Sequence, residues 1–127
     1  MPGNAGEGRA ADGSMISLSS GTRVHLAVQP VDLRGSFNAL SALVKGMLAL
    51  DPLSGQVFVF TNRRRTRLKA LFWDGSGLWV CAKRLERGRF AWPIPEKGRT
   101  GRELRPEEWS NLVHGLEVVS RANWLRR

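Results

Sequence analysis

Apolar side chains recur along this chain at two different spacings, and the switches between them mark its elements. Val24, Leu26 and Val28 alternate with Arg23, His25 and Ala27 after a Ser20-Gly21 turn, so residues 16–28 read as a short start followed by a strand. Pro30 ends it. With Asp32 or Ser36 as cap, Phe37, Leu40, Leu43, Val44 and Met47 then follow at three- and four-residue steps, the stripe of an amphipathic helix that Asp51-Pro52 closes. That stripe needs a sheet to cover it.

The sheet is expected next in the chain. Val57-Phe58-Val59-Phe60 is apolar on both faces of an extended backbone, which predicts a central strand covered on both sides. Alternation returns at residues 67–73, with Leu68, Ala70 and Phe72 on one face and Arg67, Lys69, Leu71 and Trp73 on the other. Asp74-Gly75 is a tight hairpin signal. In the strand after it Leu78, Val80 and Ala82 share a face, opposite Trp79, Cys81 and Lys83. After a turn at Glu86-Arg87-Gly88, Phe90 and Trp92 read as a last strand that Pro93 and Pro95 terminate. Residues 96–105 lack apolar periodicity and read as a loop. Pro106 at a first helical position, followed by Glu107 and Glu108, opens a second helix with Trp109, Leu112, Val113 and Leu116 as its buried stripe and Gly115 loosening its end. The predicted fold is α+β, a single small domain with a mostly antiparallel β-meander and two helices.

Length and composition fit one such domain. The chain has 127 residues, of which 42% are hydrophobic, and it holds no apolar run long enough to span a membrane. Residues 1–14 have no apolar stretch of the signal-peptide kind, which makes a disordered tail and a cytoplasmic or nucleoid-associated location the expectation. Residues 15–116 form the expected domain and residues 117–127 a basic C-terminal tail. A single cysteine excludes an internal disulfide, and Cys81 with His25 and His114 is too sparse a set for a zinc site.

Charge changes the picture most. Between positions 62 and 105 thirteen basic residues stand against four acidic ones, so this segment carries the entire net charge of +9; elsewhere the signs balance. Such concentration attracts polyanions, and neutralised phosphates release counterions. Arg63, Arg64 and Arg65 fall in a strand-connecting loop, Arg67 and Lys69 continue the charge onto a strand, and Lys83, Arg84, Arg87 and Arg89 lie in the next hairpin. These nine are the candidate nucleic-acid-binding residues. Trp73 and Trp79 fall on the basic side of the alternation, where they can either stack on unpaired bases or serve as core beneath a helix.

Three blocks of this region, Phe58-Val59-Phe60-Thr61-Asn62-Arg63-Arg64-Arg65, Leu68-Lys69-Ala70-Leu71-Phe72-Trp73-Asp74-Gly75-Ser76-Gly77 and Lys83-Arg84-Leu85-Glu86-Arg87-Gly88-Arg89-Phe90-Ala91-Trp92-Pro93, are distinctive. With Val31-Asp32-Leu33-Arg34-Gly35-Ser36-Phe37 and Asp51-Pro52-Leu53-Ser54-Gly55 upstream, the chain closely resembles the TnpB-type accessory protein encoded by the second reading frame of the IS-sixty-six class of bacterial insertion sequences. The departures are Leu33 where methionine is expected and Cys81-Ala82 where larger residues are usual. The resemblance implies a role beside the transposase of the same element and no reaction of its own.

The residues agree with a non-enzyme. No catalytic residue, cofactor or metal is expected, because Asp32, Asp51, Asp74 and Glu86 each have a plainer role as cap, helix stop, turn or ion-pair partner. Two functional readings remain open: binding DNA chiefly through phosphates while assisting the transposase, or docking on the transposase as a protein adaptor without touching DNA. Deleting residues 1–14 is expected to leave the thermal midpoint almost unchanged in a melting curve; a large drop would show that the tail packs on the domain.

Overall fold

The computed structural model describes residues 21–114. Its elements are β1 (Val24–Ala27), α1 (Phe37–Gly46), β2 (Val57–Thr61), β3 (Arg67–Trp73), β4 (Leu78–Arg84), β5 (Gly101–Leu104) and α2 (Pro106–Val113). The five strands form one sheet in the order β4-β3-β2-β1-β5. Only β1 and β2 run parallel, joined by the α1 crossover; the other three pairs are antiparallel. None of the helices among the described residues is long and apolar enough to cross a membrane.

The doubly apolar run occupies the middle of this sheet as β2, and all five residues of that strand are buried. On one face Val57 and Val59 pack with Val24, Leu26, Leu68, Ala70, Phe90 and the α2 residues Trp109 and Leu112. On the other, Phe58 and Phe60 pack with Leu71 and the α1 residues Leu40 and Val44. Phe37, expected in the buried stripe of α1, is 47% exposed. Ser36 stands at the N-cap of α1 without a side-chain capping bond, and Asp32 is occupied by Arg34 instead. Leu116 and Gly115 lie outside the described residues, as do both expected tails.

Two strand expectations are corrected. Residues 90–92 are not a strand: the Phe90 amide donates to the Arg65 carbonyl at 2.7 Å, the chain tightens as the Trp92 amide donates back to Phe90, and the Trp92 indole donates to the Ala27 carbonyl at 2.9 Å. The segment therefore crosses beneath the sheet towards β1, and both aromatic rings are buried in the α2-side core. The fifth strand lies instead in the expected loop, at residues 101–104, paired with β1 at the sheet's edge. Alternation is invisible there because an edge strand needs few apolar residues; only Leu104 is buried. Its neighbour Arg102 donates to Glu108 at 2.7 Å, and the second oxygen of that buried carboxylate accepts the Arg105 amide at 2.9 Å, fixing the start of α2.

The β2–β3 connection is tight and internally braced. The Asn62 side-chain oxygen accepts the amides of Thr66 and Arg67 at 3.0 and 3.1 Å, while the Asn62 carbonyl accepts the Arg65 amide at 3.0 Å. Arg65 takes a left-handed backbone with φ of 59°, a conformation that a non-glycine residue holds only under such restraint.

Two outcomes follow from this packing. Leu40→Ala, which empties a fully buried position of α1, should lower stability by about 2–5 kcal/mol in urea unfolding with an unchanged slope. Asn62→Ala should cost roughly 1–3 kcal/mol by leaving two amides of the turn without their acceptor, and amide exchange at Thr66 and Arg67 should quicken.

Candidate nucleic-acid interface

The fold gathers the cations of the hairpin region at one end of the sheet. Beyond the Asn62 brace, the Thr66 carbonyl accepts the Leu85 amide at 2.9 Å and the Arg65 carbonyl accepts the Phe90 amide. These two bonds fasten the 86–89 turn to the arginine turn. Arg87 and Arg89, remote from Arg65 in sequence, thus sit beside Arg63, Arg64 and Arg65. Arg63, Arg64, Arg67, Arg87 and Arg89 are exposed and Arg65 is half-buried. Among the described residues, no carboxylate lies within ion-pair distance of any of these six.

The register decides which other cations join them. Arg67 faces Arg84 across the β3–β4 pair on the α1 side of the sheet, and the two line a groove of about 650 Å³ with Leu33, Arg34, Lys69 and Glu86. Arg84 is paired with Glu86 at 3.1 Å. Lys69 is committed to structure: its ammonium donates to the Leu33 and Gly35 carbonyls at 2.5 and 2.9 Å and holds the 31–36 loop as the far wall of the groove. That loop is also tied through the Val31 amide to the Thr61 carbonyl. Lys83 pairs with Leu68, which sets it on the α2 side of the sheet, and its ammonium donates to the Val113 carbonyl at 2.5 Å at the end of α2, where a cation suits the helix dipole.

Arg34 lies outside the basic segment, and so outside the nine candidates, yet it stands at the groove. Its side chain is nearly fully exposed there and forms a forked pair with Asp32 at 2.7 Å, which holds the Asp32 carboxyl down at about 2. The Asp32-x-Arg34 spacing is its one trace in the sequence.

Trp73 and Trp79 do not share a face. Phe72 opposes Trp79 and Trp73 opposes Leu78, so Trp79 lies on the α2 side and Trp73 on the α1 side. Two alternations read separately leave their relative phase free; pairing fixes it. Trp79 is 50% exposed and stacks on Phe72 at 6.2 Å between ring centroids. Its indole N–H donates to Asp74 at 2.7 Å and, with the Ser76 and Gly77 amides, drives that carboxyl far below its ordinary range. Both tryptophans stand at the Asp74 end of the hairpin, away from the arginines at its other end.

The remaining cations of the basic segment are elsewhere. Arg99 and Arg102 line a smaller cavity of about 350 Å³ beside β5, at the opposite edge of the sheet, with Val28, Ile94 and Glu96. Arg102 and Arg105 are paired with Glu108 and Glu107. Tertiary structure therefore divides one basic stretch of sequence into two surfaces. Among the described residues no three His, Cys, Asp or Glu side chains converge as a metal site would require.

Comparison with known proteins finds a family and two relatives. Residues 22–123 match the family described as IS66 Orf2 like protein. Two proteins of Sinorhizobium fredii (strain NBRC 101917 / NGR234) are similar over 103 residues, 81% of this chain: uncharacterized protein y4jC, 45% identical over 86% of its own length, and uncharacterized protein y4hO, 37% identical over 88%. No solved structure matches. The matched segment spans every element from β1 to α2, including both arginine-bearing turns, and on that ground the chain belongs to the IS66 Orf2-like family of insertion-sequence accessory proteins.

Proposed function

We propose that this accessory protein assists its transposase by holding DNA through phosphate contacts at the cationic end of the sheet. The observation that carries the reading is the pair of backbone bonds joining the arginine turn to the 86–89 turn, which brings to one end of the sheet six arginines that have no carboxylate partner among the described residues. Crowding like charges opposes folding unless an anion arrives to offset it. Guanidinium groups suit that anion, since their planar forks match phosphate oxygens. Arg63, Arg64, Arg65, Arg67, Arg87 and Arg89 make the primary contacts, with Arg34 and Arg84 at the groove. Lys69 and Lys83 act as supports for the loop and helix that they hold.

The contacts position DNA and do not read its bases, as most of the arginines stand on two connecting turns and not on a helix that could enter the major groove. The protein acts by occupancy and not by turnover. In support, carboxylates that a metal-dependent reaction would need are engaged: Asp32 by Arg34, Asp51 by the Leu53 amide, Asp74 by Trp79, Glu86 by Arg84, and Glu108 by Arg102.

Replacing Arg63, Arg64 and Arg65 together with alanine is expected to weaken binding to all duplex sequences alike. The slope of log affinity against log salt should fall by roughly 0.9 for each phosphate that is no longer neutralised. Unchanged affinity and slope in a folded triple variant would remove this surface as the site, and wild-type protein with no salt-dependent DNA binding at all would favour the adaptor reading.

A further inference from the structure

Among the described residues one edge of the sheet, β4, has no partner strand, and its chemistry is lopsided. Gly77 accepts the Asp74 amide at the hairpin, and the Leu85 amide donates to Thr66 at the start of β3. Since successive residues of a strand aim their backbone groups to alternate sides, Gly77, Trp79, Cys81, Lys83 and Leu85 point theirs at β3. The N–H and C=O groups of Leu78, Val80, Ala82 and Arg84 therefore point outward from the sheet. All seven residues of β4 are in unbroken register with β3, with neither proline nor bulge to blunt the strand. The opposite edge, β5, has only four residues, two of them charged.

Charge and hydrophobicity divide β4 by its length. At its start stand exposed Asp74, half-buried Leu78 and exposed Trp79; at its end stand Lys83, Arg84 and Arg87, all exposed. Such a strand repels itself in parallel, where cation would meet cation, and complements itself in antiparallel, where the acidic, apolar start meets the basic end.

We propose that β4 pairs antiparallel with β4 of a second copy of this chain, about a two-fold axis through Cys81. Cys81 is the middle of the strand, so this is the register that pairs all seven residues. It places Val80 opposite Ala82 and Leu78 opposite Arg84, so that the four outward-facing residues of each copy exchange their hydrogen bonds. Trp79 faces Lys83, a cation beside an aromatic ring, and each Asp74 hairpin comes level with the Arg87 turn of the other copy. Cys81 faces its own counterpart in a non-hydrogen-bonded pair, where the Cα separation of about 4.5 Å falls within disulfide range. This self-pairing does not rest on the DNA-binding reading, and it makes the interface isologous, as closed symmetry requires.

The test uses the full chain in sedimentation equilibrium across a concentration series, with oxidation by copper phenanthroline as a register probe. Because Cys81 is the only cysteine, a covalent dimer can arise solely from two thiols at that position giving up two protons and two electrons to the oxidant. The expected result is a dimer that oxidation cross-links. Ala82→Pro removes an outward N–H that β3 does not use and should abolish both the dimer and the cross-link, with circular dichroism unchanged. Arg84→Glu, at an exposed side chain, sets an anion beside the other copy's Asp74 hairpin and should also weaken the dimer, without the backbone demands of proline. A wild-type monomer at every concentration overturns the proposal. So does a dimer that survives in both folded variants, or one that oxidation leaves uncross-linked. A monomer whose Val80 and Ala82 amides exchange slowly would assign the edge to another segment of the same chain and overturn it equally.

Discussion

A strand without solvent on either face must be walled by two separate packing layers, and β2 makes that demand at all five of its positions. α1 supplies one wall with Leu40 and Val44, and α2 with the 90–92 segment supplies the other. Burying a phenylalanine of this kind is worth roughly 1.5–3 kcal/mol, so Phe58 and Phe60 alone reward closure of the α1 layer. The polar group in the strand, the Thr61 hydroxyl, is satisfied by donating to the Arg67 carbonyl at 2.7 Å. The crossover to a parallel partner, the flanking antiparallel strands and the aromatic segment beneath the sheet are all ways of meeting this one requirement.

With both faces taken up by helices and aromatic rings, charge is left to the ends and edges of the sheet. The arginine turn follows directly on β2, so the most buried strand of the domain leads into its most cationic connection. Asn62 stands at that junction, and its side chain satisfies the backbone groups that a tight turn would otherwise leave unpaired. The bonds from Leu85 and Phe90 complete the frame, and the arginine side chains project from a backbone with little freedom. Lys69 and Lys83 show the other use of a cation, reaching carbonyl groups to fasten a loop and a helix end. Charge-assisted bonds of that kind contribute about 1.5–3 kcal/mol when desolvated, and less at the exposed Lys83.

Much of this is legible along the chain. The doubly apolar run announces a central strand, the three- and four-residue spacing announces α1, and Asp74-Gly75 announces the hairpin whose Asp74 side chain accepts the Ser76 and Gly77 amides. The α+β class and the mostly antiparallel sheet follow from those signals. The failures share a cause: β5 carries one buried side chain, and Phe90 and Trp92, alternate in sequence, are buried for a reason other than strand pairing. Periodicity reports which side chains meet a core, and it is silent where an edge strand is held by backbone bonds or where a segment crosses the sheet instead of joining it.

The sequence by itself determined most of the core, the two helices that help to wall it and the existence of a concentrated positive charge, because hydrophobicity and charge are properties that each residue carries wherever it lies. Only the tertiary structure decided which charges lie together. Pairing of β3 with β4 set Arg67 beside Arg84, put Lys83 and the two tryptophans on their respective faces, and brought Arg87 and Arg89 against the arginine turn, while β5 carried Arg99 and Arg102 to the far edge. The physical reason is that a one-residue change of register reverses the face of every side chain in a strand, and register is fixed by long-range hydrogen bonds and packing, which no local pattern encodes.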